Sequence, residues 1–174
     1  MPKITVNARF EPLVNGFSSL PASSKCWYAN RFGSMARTSS TIHINAPLER
    51  VMGIIRDVEN YPKWTSGISD VKICETDSQG RPVRTTFQIS GGPISDLVEL
   101  GYTWNSDSVE WHLISANAIT ALDGAYRLSQ VGDGCDVTYE LSAEVNLPLP
   151  SFFLSAGEKT IVTSALEGLK EFAK

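Results

Sequence analysis

His43 and His112 are the only imidazoles in the chain, and so the natural candidates for acid–base work near neutral pH. Alternation within TSSTIHIN (38–45) and VEWHLIS (109–115) sets them on strand faces opposite Ile44 and Trp111. No nucleophile or orienting carboxylate can be placed beside either one, so both are read as exposed or edge residues. Asp123 and Arg127 bracket the DGAYR segment, and Asp123 would turn inward only if a bulge at Gly124 shifted the register. HExxH, phosphate-cradling glycine loops and GxSxG are all missing from the sequence. Cys26, Cys74 and Cys135 form no CxxC pair, and an odd number at wide spacing suits reduced thiols better than a disulfide or zinc framework. No catalytic residue, metal ligand or cofactor is therefore assigned.

Any site must rest on a fold that 174 residues can build, and 19.0 kDa is enough for one domain with a real apolar core. The net charge of −4 divides unevenly. Lys3, Arg9, Lys25 and Arg31 oppose only Glu11 in the first 34 residues, so the remainder carries −7. A domain that acidic is a poor nucleic-acid binder, because phosphate contacts need clustered Lys and Arg. No apolar run approaches the ~20 residues that span a bilayer, and no signal peptide is visible, so a cytoplasmic protein without an integral membrane segment is expected.

The opening 34 residues scatter Pro, Gly and Ser without a sustained period of 2 or 3.6. Residues 1–37 are expected to form a disordered or weakly structured extension, and 38–174 the domain. The extension is basic, Ser-bearing and acid-poor, as transit peptides are, but it has no clear amphipathic helix. A leader or an over-extended start before MARTSS, at Met35, is the plainer reading.

From residue 38 the pattern sharpens. TSSTIHIN reads as a half-buried strand with Ile42 and Ile44 inward. Asn45 before Ala46-Pro47 predicts a capped helix from about Pro47 to Val58, with Val51, Ile54, Ile55 and Val58 inward. Pro62 is expected to push Tyr61 out of the α region and stop the helix, and Trp64 to sit on a short second helix. Strand patterns follow at 71–76, 83–90, 94–104, 109–115, 118–131 and 135–146. The DSQGRP turn, Gly91-Gly92-Pro93, NSDS and the GDG hairpin signal punctuate them. After LPLP, residues 151–174 read as a closing helix whose candidate inner stripe is Leu154, Gly157, Ile161, Ala165, Gly168, Leu169 and Phe172. Its small residues imply either close approach or an internal cavity. Helices segregated from a meander of strands indicate an α+β fold.

In order and spacing the chain resembles the START-like (SRPBCC) superfamily, in its polyketide cyclase/dehydrase, lipid-transport and coenzyme Q-binding branch. The likeness spans about residues 38–172 and rests on STIHINAPLERV, DVENYPKW, the DSQGRP turn, DGAYRLSQVGDGCDVTYEL and the last helix. It implies the helix-grip fold: a bent antiparallel sheet of seven strands around a long C-terminal helix, with two short helices after the first strand and a hydrophobic tunnel between sheet and helix. It also implies a small hydrophobic ligand, such as a lipid, isoprenoid quinone or polyketide, that is carried or sequestered. A reaction of the cyclase or dehydrase type is the alternative, and a protein-interaction module a second one.

If that tunnel exists, the inner faces supply its lining. Phe87, Ile89, Val98, Leu100, Tyr102, Tyr139, Leu141, Ile161 and Ala165 are the candidates, with Trp64 and Phe153 near a mouth. Each competes with the plainer reading that it is simply core. Tyr102 and Tyr139 are the informative members, since a buried hydroxyl needs a partner and could offer itself to a ligand oxygen.

Overall fold

A computed structural model describes residues 38–91, 94–146 and 151–174, with side chains at all of these except 91, 94 and 151–155. Expectations for residues 1–37, the Gly92-Pro93 break, LPLP and the side chains of Phe153 and Leu154 lie outside the described residues. The strands are β1 Thr38–Ile44, β2 Ile68–Thr76, β3 Pro82–Gly91, β4 Ile94–Trp104, β5 Ser108–Ser115, β6 Ile119–Val131 and β7 Gly134–Val145. The helices are α1 Leu48–Arg56, α2 Tyr61–Trp64 after a 3-10 turn at Val58–Asn60, and α3 Ser151–Phe172. One antiparallel sheet runs β1-β7-β6-β5-β4-β3-β2, so β2 to β7 form a meander and β1 joins beside β7. α3 packs against β1 and β7. This is the helix-grip α+β architecture.

Alternation decides the faces. Val98, Leu100, Tyr102 and Trp104 of β4 point into the core, while Leu97 and Thr103 point out. Register carries the same face across the sheet, pairing Tyr102 with Trp111, Trp111 with Gly124, and Tyr126 with Tyr139. Two turns hold as their sequences suggest. Asp77 accepts the backbone N–H of Gln79 and Arg81, each at 2.9 Å, and closes the β2–β3 turn. β6 and β7 meet in register at Val131 and Gly134.

The helix signals are partly redirected. Asn45 does not cap α1; the Leu48 N–H donates instead to Gln130 Oε1 of β6 at 3.1 Å, so a strand supplies the cap. α1 ends at Arg56, where Asp57 leaves the helical region, and Tyr61 is itself αR. Pro62 sits in the first turn of α2, where a missing N–H costs nothing, so it starts a helix rather than ending one. No bulge occurs at Gly124. The β6–β7 register is regular there, with Gly124 opposite Leu141, and the irregularity falls between Ile119 and Ala121.

α3 is rotated from the expected phase. Among the described side chains its buried positions are Glu158, Val162, Ala165, Leu166 and Leu169, and Ala173 just past its end is buried as well. Gly157, Ile161 and Phe172 are exposed, and Ile161 is 49% so. Among the described candidates in the expected stripe, only Ala165 and Leu169 are buried. Gly168 does have a packing reason, and it is close approach. A Cβ there would lie 1.7 Å from the Trp64 carbonyl oxygen, so α2 and α3 touch backbone to backbone.

Candidate functional site

The inner face of the sheet gathers most of the residues that the sequence suggested as lining. Phe87, Val98, Leu100, Tyr102, Tyr139, Leu141 and Ala165 belong to one buried cluster, and Ile89 packs against it partly buried. Trp64 joins them, buried, with its ring edge-on to Tyr61 at 4.7 Å. Ile161 does not, because the rotation of α3 gives its place to Val162. A helix with 3.6 residues per turn moves each side chain about 100° per position, so an error of one residue exchanges inside for outside.

Three further residues complete the aromatic part of this face. Trp111 of β5 lies against Gly124 of β6 so closely that a Cβ at 124 would stand 2.2 Å from Trp111 Cζ2 and 2.5 Å from Cε2. The indole therefore occupies the space a side chain would fill. Its ring centroid is 5.6 Å from both Tyr126 and Tyr139, which lie 4.4 Å from each other. Tyr102 is 6.5 Å from Trp111 and stacks on Trp104 at 5.8 Å. Trp111 and Tyr126 were available to sequence reasoning, since both fall on inner faces by alternation. Their meeting over Gly124 depends on strand register, which alternation does not give.

Burial pushes the phenols of Tyr61, Tyr102, Tyr126 and Tyr139 above the usual tyrosine range. Neighbouring phenols add to the rise at Tyr61, Tyr102 and Tyr126, while the hydrogen bond with Thr85 opposes it at Tyr102. All four are thus protonated donors near neutral pH. Two have partners: Tyr61 donates to the Ile55 carbonyl at 2.7 Å, and the Tyr102 oxygen accepts from Thr85 Oγ1 at 3.4 Å. Among the described residues, neither the Tyr126 nor the Tyr139 hydroxyl has a hydrogen-bond partner. The buried indole N–H of Trp64 is likewise unpartnered.

The buried carboxylates have structural work. Asp96 accepts the backbone N–H of Asn117, Ala118 and Ile119 and the Asn117 side-chain amide at 2.8–3.1 Å, tying the β5–β6 connection to β4. Burial alone would raise its pKa, but these donors outweigh it and hold the carboxyl at about 2. Glu158 accepts Thr38 Oγ1 and the Ala143 N–H, both at 2.8 Å, which fastens α3 to β1 and β7. The histidines lie on the outer face as expected, with His112 exposed, but the expectation that no carboxylate stands beside either fails at His43: the β1–β7 register sets Asp136 opposite it, 2.7 Å from His43 Nδ1. Asp123 stays on the outer face opposite Ser142, and Arg127 is ion-paired there with Glu110 at 2.8 Å. Cys74 and Cys135 are free thiols. Among the described residues no group of three or more His, Cys, Asp or Glu could hold a metal ion, and no helix is long and apolar enough to cross a membrane. An open groove of about 540 Å³ lies between α2 and the last turns of α3, bounded by Lys63, Trp64, Gly168, Glu171 and Phe172.

With this geometry in place, comparison with known proteins is specific as to family. The sequence profile described as polyketide cyclase / dehydrase and lipid transport matches residues 35–174. No curated protein matched the chain. Among solved structures, a START superfamily protein from Mycobacterium smegmatis is similar with a TM-score of 0.74 at 19% identity, covering 79% of this chain and 96% of that one. A Thermus thermophilus protein gives 0.70 at 16% identity over 79% and 97%. The Zhui aromatase/cyclase from a Streptomyces species gives 0.66 at 12% identity over 79% and 93%. At such identities these likenesses establish the shared fold.

Proposed function

The chain belongs to the polyketide cyclase/dehydrase and lipid transport family, and we propose that it binds a small hydrophobic ligand between α3 and the inner face of the sheet, to carry or sequester it. The ligand classes in view are lipids, isoprenoid quinones and polyketide-like compounds. The observation that carries this reading is the combination of an aromatic inner face with phenol donors that the fold itself leaves unpartnered. Among the described residues the fully buried unpartnered side-chain atoms are Trp64 Nε1 and Arg56 Nε and include neither hydroxyl, so a ligand oxygen entering beside the phenols would replace water as their acceptor, for about 0.5–1.5 kcal/mol net per hydrogen bond. The groove beside Trp64 is the proposed mouth.

Binding is favoured over catalysis by the state of the buried acids. A cyclase or dehydrase step needs a group free to exchange a proton. Asp96 and Glu158, the buried carboxylates described, are both engaged by backbone N–H groups, and the inner phenols hold their protons too tightly to act as bases near neutral pH. The test is equilibrium titration with hydrophobic probes of several shapes. Saturable one-to-one binding supports the reading, and failure to bind fatty acids, quinones and aromatic probes alike refutes it.

A further inference from the structure

We infer that Trp111, Tyr126 and Tyr139 form a subsite for the planar, oxygen-bearing end of an uncharged ligand, and that the site discriminates against carboxylate anions. The inference rests on the proposed function and narrows it. Trp111 has its indole pressed against Gly124, where the bare backbone gives it room, yet the residue is only partly buried although it belongs to the inner face. An indole backed by the sheet and still partly accessible is a stacking surface. Tyr126 and Tyr139 stand 5.6 Å from it and 4.4 Å from each other, so one ring-bearing molecule on Trp111 would lie within reach of both phenols.

The preference for a neutral ligand follows from what surrounds these donors. The charged side chains of β5, β6 and β7 nearest in sequence, Glu110, Asp123, Arg127, Asp136 and Glu140, alternate onto the other face, where Arg127 pairs with Glu110 and Glu140. The shifts at Tyr126 and Tyr139 agree, arising from burial and, at Tyr126, from neighbouring phenols, with no cation acting on either. A carbonyl or hydroxyl oxygen is satisfied by one or two phenol donors. A carboxylate would enter the same apolar surroundings with no counter-ion offered by these three strands and lose its hydration. The subsite therefore selects by charge as well as by shape.

Three probes with one skeleton separate these effects: 9-fluorenone offers a carbonyl, fluorene no polar atom, and fluorene-9-carboxylate an anion. Oleate provides an acyl chain. Isothermal titration of the full chain at neutral pH is expected to give fluorenone affinity about tenfold above fluorene, the worth of one to two net hydrogen bonds, with the carboxylate weaker than both. Tyr126→Phe with Tyr139→Phe keeps both rings and should bring fluorenone to within about twofold of fluorene while leaving fluorene unchanged. Trp111→Leu should weaken both ring probes. Circular dichroism of each variant confirms that the fold is retained; the tyrosine variants remove only oxygens, so they test the idea even if Trp111→Leu unfolds. Equal affinity for fluorenone and fluorene, or tighter binding of oleate or the carboxylate, overturns the inference while leaving the proposed function standing. Absence of binding by all four probes, and by quinones as well, overturns both.

Discussion

Two glycines on α3 should respond to alanine with opposite signs. Gly157 is exposed, and a Cβ there would meet nothing within 4 Å, so Gly157→Ala should simply gain helix propensity, about 1 kcal/mol. Gly168→Ala gains the same propensity but places its Cβ 1.7 Å from the Trp64 carbonyl oxygen. Real Cβ contacts essentially never fall below 3.0 Å, so α2 and α3 must separate by about 1.3 Å, backbone against backbone. Overpacking of this kind costs about 1–3 kcal/mol, and with no flexible side chain to move aside the upper end applies, leaving a net loss of about 2 kcal/mol. In a domain of this size each kcal/mol moves Tm by about 2–4 °C. Thermal unfolding followed by circular dichroism should thus place Gly157→Ala about 2–4 °C above the parent and Gly168→Ala about 4–8 °C below it. If both variants are stabilised, the α2–α3 contact is not the close approach that explains Gly168, and the helix phase derived above fails with it.

Asp96→Asn should destabilise by about 2–4 kcal/mol in urea unfolding, because an amide NH₂ would face N–H groups that now donate to a carboxylate. The Asp96 pKa lies near 2 in the folded state against the ordinary 3.8, so its contribution is full above pH ~4 and is lost as pH falls from there toward 2. Stability measured across that window should fall less steeply in Asp96→Asn than in the parent; equal slopes would show that the carboxylate is not held by these donors. Trp64→Ala should cost about 3–5 kcal/mol, since its ring is buried on Tyr61, and unchanged chemical unfolding would contradict its place in the core. Gly124→Ala should displace Trp111, lowering stability and weakening ring-probe binding together; wild-type values for both would mean that the indole does not need the gap.

Much of the fold was legible because the inner face of each strand repeats every second residue, and a meander needs only short turns to connect it. β4 appears at 94–104 as read, and the other strands differ by a few residues at their ends. β2 begins three residues earlier than the pattern suggested, at Ile68, because irregular pairing between Ser69 and Lys72, with Asp70 at φ 49°, breaks the alternation there. The α1 cap was misplaced for a different reason: Gln130 reaches it from β6, 82 residues away in sequence, and no local signal encodes that bond. α3 was misphased because Gly157, Ile161 and Phe172 made a plausible apolar stripe, while the buried face contains Glu158, whose carboxylate is satisfied only once β1 and β7 are beside it. The candidate site shows the same division. Phe87, Val98, Leu100, Tyr102, Tyr139 and Leu141 followed from alternation alone. The Trp111–Gly124 contact required the register of two neighbouring strands.

Native mass spectrometry of the protein purified from its own cells, with organic extraction of whatever dissociates, addresses the proposed function most directly. Binding between α3 and the aromatic inner face predicts a reproducible mass above that of the chain and a small hydrophobic molecule in the extract, and the subsite at Trp111 adds that this molecule is uncharged, ring-bearing and displaced by 9-fluorenone. A protein that is reproducibly empty, and that afterwards takes up neither fluorenone, fluorene, quinones nor oleate, would contradict it.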